Sequence, residues 1–439
     1  MRWFRLAILL TTAVQLSSLN AAPQAVTSLN VASSQPGAAS SQLLHYTLPP
    51  DKLAKAHALY NIDFTLFFVT SLWAFVVLFV MLQMRFGVVL REWAERASQR
   101  RFLQAAMVTC AFAFVMTVVQ LPFDVYGHHI GLAYGLSVQH WGSWFADWGK
   151  SLGLEFVFVT FVGWIFYGVL RRSRRRWWFY FWLALIPIVV FVMFVAPVVV
   201  EPMFNQYEPL AAHHPELVAQ IERVIERAGM NIPPERMYEM KASEKTTELN
   251  AYVSGFGATK RVVVWDNTMR QMTIPETLYV FGHEMGHYVL GHIPKEMAID
   301  LGILLVLFYV GYRAANAMVE RRGARWGITD LTDWASLPLM VLIISVLGFF
   351  AMPAFNAVSR HYEHQADQYG LEVVHGLIPN DARNAAQAFQ ILGEVSLDYP
   401  DVGRFAEFWL WNHPPIRDRM IFVQTYAPWA EGKPPEFVK

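Results

Sequence analysis

Four stretches of this chain, 64–84, 102–123, 177–200 and 334–358, contain no aspartate, glutamate, lysine or arginine. Each reaches the roughly 20 apolar residues that a helix needs to cross a bilayer. Two weaker spans accompany them: 151–170, which carries Glu155, and 298–319, which carries Asp300 near one end and Arg313 near the other. Charges at helix ends can snorkel to the interface, whereas an acid further in, such as Glu155, must face other helices or a wet cavity. Buried soluble helices seldom repeat uncharged runs of this length, so the chain reads as an integral membrane protein. Charged residues make up only 16% of the chain, against roughly 25% in soluble proteins. The formal charge is zero, which removes the whole-protein electrostatic case for nucleic acid. A single cysteine, Cys110, excludes an intrachain disulfide framework and every cysteine-based zinc site. Any metal must be held by nitrogen and oxygen.

The N-terminus follows another pattern. Arg2 and Arg5 precede a short apolar run over 6–16, and small residues follow around Asn20, Ala21 and Ala22. That is the layout of a secretory signal peptide over 1–22, with an uncleaved first membrane helix as the alternative. Residues 23–59 open rich in Ser, Ala, Gln and Pro and are expected to form a linker. Four membrane helices are then expected over 60–200, a catalytic domain over 201–298, two membrane helices over 299–358, and the rest of the catalytic domain over 359–439. Arginines fix the orientation. Five lie in 85–101, five in 171–176, and Arg321, Arg322 and Arg325 follow the fifth span, while 124–150 has none. Short positive loops stay in the cytoplasm. The polar segments therefore belong on the non-cytoplasmic side, and the expected setting is a bacterial inner membrane.

Between the fourth and fifth spans, 214–227 has helical spacing of Leu217, Ile221, Val224 and Ile225. Segments 237–241, 249–256 and 261–265 look like short strands. Thr273 with Glu276 forms a capping box that opens a helix carrying His283-Glu284-Met285-Gly286-His287. Residues four apart share one helical face, so both imidazoles can reach one metal. Neutral imidazole suits Zn²⁺, which in catalytic sites takes three protein ligands and keeps an open position. Glu284 can take a proton from the activated water. The metzincin pattern requires a third histidine at position 293, which is Ile293; His292 comes one residue too early. Glu363 is the better third ligand. Asp367, four residues on, shares its helical face and can orient a ligand histidine through the other ring nitrogen.

These segments resemble the type I CAAX prenyl proteases, membrane zinc metalloendopeptidases of the gluzincin type. The resemblance covers roughly 53–423. It rests on HEMGH with His292, on Ser359-Arg360 with Glu363, Ala366 and Asp367, and on Asn250-Ala251-Tyr252 before Lys260-Arg261-Val262-Val263-Val264. Glu201-Pro202-Met203-Phe204-Asn205 with Pro209-Leu210, and His413-Pro414-Pro415-Ile416 with Arg419, add to it. It implies a mostly α, polytopic helical bundle enclosing a chamber, with a small α+β zincin-like catalytic domain. The family has seven membrane helices; six clear spans are read here, with a signal-peptide layout in the first-helix position. The resemblance further implies one Zn²⁺ on His283, His287 and Glu363, with Glu284 and Asp367 catalytic. His413 and Arg419 would lie near the scissile carbonyl. A peptide or protein substrate would bind as an extended strand along Asn250, Ala251 and Tyr252. CAAX processing and general proteolysis of membrane or envelope proteins both fit. An intramembrane site-2-type protease or a non-catalytic quality-control or binding protein are the alternatives. The first would put HExxH inside a span, and the second would have lost a ligand or Glu284.

Overall fold

The computed structural model describes residues 43–255 and 259–438. The signal peptide or first membrane helix expected over 1–22, and linker residues 23–42, lie outside the described residues. Helix α1, Pro50–Gln83, starts inside the expected linker, so residues 50–59 are a correction to that boundary. The reason is local and tertiary together. Pro50 stands in the first turn, where a missing N–H costs nothing. Ala56 and Leu59 are buried in the core of the polar domain rather than left in solvent.

The chain continues through α2, Phe86–Ala97, α3, Arg101–Ala133, α4, Trp141–Arg172, and α5, Trp177–Val195. A π-helical turn, Ala196–Val200, carries α5 into Glu201–Phe204. Strand β1, Tyr207–Pro209, and helix α6, Pro215–Arg227, lead to β2, Met237–Met240, β3, Ala251–Ser254, and β4, Arg261–Trp265. Then come α7, Ile274–Val289, α8, His292–Trp326, and α9, Leu337–Val374. The chain ends in α10, Asp381–Val395, α11, Arg404–Leu410, and α12, Ile416–Thr425. Six helices among the described residues are long and apolar enough to cross a membrane; they correspond to α1, α3, α4, α5, α8 and α9 with their end turns. Large apolar side chains on them stand outward, including Leu72, Phe191, Val306 and Phe350. Such a surface suits lipid rather than water.

Two cores hold the molecule. One lies among the spans, around Leu82, Phe112, Tyr167, Trp177, Phe308 and Trp334. The arginine-rich loops are tied to it: Arg171 lies 4.4 Å over the Trp334 ring, and Arg91 pairs with Asp333 at 2.6 Å. The second core fills the polar domain, where the sheet has order β1-β2-β4-β3. β2 and β4 run parallel, and the two outer pairs are antiparallel. Side chains alternate between faces along a strand, so Val262 and Val264 enter the main core while Val263 packs with Met240 on the other side. All three valines are fully buried, each contributing on the order of 1.5–3 kcal/mol. Strand β1 was absent from the sequence expectations. Among the described residues β3 pairs with β4 alone, so its other edge is open, and it packs on α7.

Candidate metal centre and active site

Helix α7 starts with the capping box, in which Glu276 Oε2 accepts the Thr273 N–H at 2.7 Å. It packs against the far end of α9 along small residues. A Cβ on Gly370 would lie 2.8 Å from His283 N, closer than a side chain tolerates, so glycine is what lets the two backbones approach. The approach brings Glu363, on α9, to the histidines of α7. His283 Nε2 lies 3.3 Å from His287 Nε2 and 3.3 Å from Glu363 Oε2. His287 Nε2 is 3.6 Å from Glu363 Oε1. All three residues are buried.

These distances test whether the donors fit zinc. Zn–N and Zn–O bonds of about 2.0–2.2 Å in a tetrahedron put neighbouring ligand atoms roughly 3.3–3.6 Å apart. The outer ring nitrogens are engaged elsewhere: His283 Nδ1 with Asp367 Oδ1 at 2.8 Å, and His287 Nδ1 with His292 Nδ1 at 3.3 Å. Glu363 Oε2 is buried and makes no hydrogen bond. Lone pairs of three buried ligand groups facing one point repel unless a cation joins them, so the residues fit the metal. Burial also pushes the His287 imidazole well down, toward the neutral form that ligates. Glu284 follows His283 on α7 and is partly buried; burial raises its carboxyl to about 7.

A second set of potential ligands, Glu208, His213 and Glu239, is already served. Lys241 Nζ lies 2.9 Å from Glu208 and 2.6 Å from Glu239, so an ammonium occupies the position a cation would take.

Arg419 stands beside both His283 and Glu363: its Nη2 lies 3.4 Å from His283 Nδ1 and 3.7 Å from Glu363 Oε2. Its Nε donates to Asp367 Oδ2 at 2.8 Å and its Nη2 to Oδ1 at 2.6 Å, with the guanidinium 4.4 Å over the Phe389 ring. A bidentate pair of this kind fixes the plane of the guanidinium as well as its position. His413 does reach the site, its Nε2 3.3 Å from Glu363 Oε1 and its side chain about half exposed.

The expected substrate strand is β3 with Asn250 just before it. Asn250 is fixed by Thr268, which donates to its carbonyl and accepts its N–H, both at 2.8 Å. The Tyr252 hydroxyl turns away from the edge and donates to Glu201 Oε2 at 2.9 Å. Trp265 N–H bonds Asn250 O, and antiparallel pairs alternate between bonded and non-bonded positions. With Ala251 opposite Val264 and Val253 opposite Val262, the backbone groups of Ala251 and Val253 face the open edge.

Family comparison agrees with this geometry. Peptidase family M48 matches residues 211–427, and the CAAX prenyl protease N-terminal family, with five membrane helices, matches 36–206. A Bacillus subtilis protein named as an uncharacterized metalloprotease, YhfN, is 35% identical over 373 residues, covering 85% of each chain. The chain belongs to peptidase family M48. Among its M48 relatives, a probable CAAX prenyl protease 1 of Schizosaccharomyces pombe is 27% identical over 293 residues, which span 60% of that protein. The crystal structure of S. mikatae Ste24p shares the fold, with a TM-score of 0.73 and 19% identity over 86% of this chain and 89% of that one. This is therefore a membrane metalloprotease related to the CAAX prenyl proteases.

Two motif residues of this M48 site have partners that the motifs alone do not give. His292 Nε2 meets Gln365 Oε1 at 3.1 Å. Glu201, at the end of the π-helical turn, gathers Tyr207, Tyr252 and Arg261 on one oxygen at 3.1, 2.9 and 2.8 Å. The turn explains the arrangement. With i→i+5 bonding, the Pro197 carbonyl would pair with residue 202, a proline without an N–H. Arg261 Nη2 donates to Pro197 O instead. A glutamate directly after a span whose last residues include a proline was the available signal.

Proposed function

We propose that this protein is a zinc-dependent endopeptidase whose site, on the non-cytoplasmic side, cuts polypeptides bound as an added strand. The observation carrying this reading is the convergence of His283, His287 and Glu363 at 3.3–3.6 Å with their other contacts satisfied behind them. One Zn²⁺ on these residues would supply Lewis acidity and a water activated near neutral pH. Glu284, whose pKa is raised to about 7, accepts the proton of the attacking water and returns it to the departing amine nitrogen. A base is most effective when its pKa lies near the working pH. Asp367 holds the His283 ring, and Arg419 holds Asp367. His413 offers an N–H to the oxygen on which negative charge develops.

Substrate backbone would pair with Ala251 and Val253 on the free edge of β3, which gives grip without demanding one sequence. Thirteen arginines in three short loops favour the non-cytoplasmic placement,. Prenylated C-termini are made in the cytoplasm, so that placement favours membrane or envelope polypeptides as substrates over CAAX-type peptides. The test is metal dependence in purified protein. Chelation should abolish peptide cleavage, and added Zn²⁺ should restore it at one equivalent per chain. Full activity in protein shown to hold no metal overturns the proposal.

A further inference from the structure

We propose that His292 and Gln365 form a hydrogen-bond relay that sets the tautomer of His287 and so decides whether its Nε2 is a lone pair or a proton donor. The proposal rests on the reading of His287 as a zinc ligand. Both nitrogens of the His292 ring are committed: Nδ1 lies 3.3 Å from His287 Nδ1, and Nε2 lies 3.1 Å from Gln365 Oε1. The ring is fully buried and lies against Tyr362, with centroids 4.7 Å apart. It has no room to turn to the metal.

A neutral imidazole has one N–H and one acceptor nitrogen. With the Gln365 oxygen facing it, His292 donates from Nε2 and accepts at Nδ1. His287 must then donate from Nδ1, which leaves its Nε2 lone pair directed at Glu363 and His283. If the Gln365 amide turns to present its NH₂, every bond reverses. His292 then donates from Nδ1, His287 accepts there, and its proton moves to Nε2, into the position a metal needs. The relay thus has one direction that ligates and one that does not.

Three helices meet in it. His287 belongs to α7, Gln365 to α9, and His292 is the first residue of α8. Gly291 makes the turn between α7 and α8 at φ +66°, a left-handed conformation that favours glycine. His292 therefore holds its place while the chain reverses into a span. Asp367 fixes His283 directly, its carboxylate accepting the Nδ1 proton. The partner of His287 Nδ1 is a ring nitrogen of His292 rather than a carboxylate, and its tautomer depends on an amide two hydrogen bonds away. His292 and Gln365 are positioning residues.

The experiment measures zinc affinity by chelator competition on purified full-length variants, with the electronic spectrum of the Co²⁺-loaded forms as a second readout. His292→Phe keeps the ring packing and removes the acceptor; affinity should fall 10–100-fold, the usual cost of losing a partner behind a ligand. His292→Asn returns an acceptor oxygen near the Nδ1 position and should recover most of the loss. Gln365→Leu should weaken binding, whereas Gln365→Glu, which can only accept, should match or exceed wild type. In the His292→Phe background the Gln365→Glu substitution should have no effect.

Wild-type affinity in His292→Phe overturns the relay. So does failure of His292→Asn to improve on His292→Phe. A gain from Gln365→Glu that survives in the His292→Phe background also overturns it, since the carboxylate then acts by charge alone. Absence of zinc binding by wild-type protein would instead overturn the metal reading itself.

Discussion

Replacing Asp367 by Asn should break the metal site in a way that its neighbours dictate. The carboxylate is buried and accepts from three residues, the Tyr279 hydroxyl being the most distant at 3.5 Å from Oδ1. Oδ1 accepts from His283 Nδ1 at 2.8 Å and from Arg419 Nη2 at 2.6 Å, and Oδ2 accepts from Arg419 Nε at 2.8 Å. Asparagine keeps one oxygen. If that oxygen stays toward His283, the new NH₂ faces the Arg419 Nε–H, donor against donor. One charge-assisted bond worth about 1.5–3 kcal/mol is lost, and the buried guanidinium keeps only Glu363, at 3.7 Å, as counter-charge, so the total stays below the roughly 3–5 kcal/mol of an unpaired buried charge. If the amide turns, its NH₂ faces His283 Nδ1, and the ring proton must move to Nε2, where it blocks ligation. Either way zinc affinity should fall 10–100-fold, or about 1.4–2.8 kcal/mol, read by chelator competition. The metal-free protein should also melt earlier. Asp367→Asn with Arg419→Gln should bind zinc more tightly than Asp367→Asn alone, because a glutamine oxygen can accept the new NH₂ and free the asparagine oxygen for His283. Residues in contact couple by about 0.5–3 kcal/mol. Wild-type affinity in Asp367→Asn, or simple additivity in the double variant, refutes the reasoning.

Other perturbations separate the remaining roles. Glu284→Gln should keep stoichiometric zinc and lose turnover by at least about 100-fold, whereas Glu363→Ala should lose the metal; normal zinc content in the latter places the third ligand elsewhere. Glu201→Gln removes the charge that holds Arg261 and should speed amide exchange across β3 and β4 and raise KM for peptide, and unchanged exchange there would show that the strand is held by other contacts. In a background with Cys110 replaced, Gln206→Cys should be labelled by an impermeant reagent in intact cells and Ser173→Cys only after the membrane is opened. The reverse pattern puts the site in the cytoplasm and returns CAAX-type processing to first place.

The spans and the zinc-type motif were legible because each is a property of one contiguous segment. An uncharged run of 20 residues, or two histidines four apart, declares itself without neighbours. The start of α1 was less so: the composition of 23–59 pointed to a linker, while Pro50 at a first helical turn and the buried Ala56 and Leu59 pointed to a helix. The orientation of Arg419 was beyond reach. Its partner Asp367 is 52 residues away in the chain, and a motif position says nothing about which side of a histidine a guanidinium takes. The same holds for His292 with Gln365, 73 residues apart. β1 escaped because three residues with a proline among them carry no alternation to detect.

Helix α9 runs without a break from the last apolar span through Glu363 and Asp367 to Val374. The uncharged stretch ends at Val358, five residues before Glu363, and a helix rises about 1.5 Å per residue. Glu363 thus stands only about 8 Å along the helix axis from the end of the apolar stretch. No hinge or linker intervenes, so this distance works as a fixed gauge. A bond cut here is cut at a height set by the helix, and a polypeptide whose vulnerable bond is held far from the lipid surface would have to bring it down to that height first.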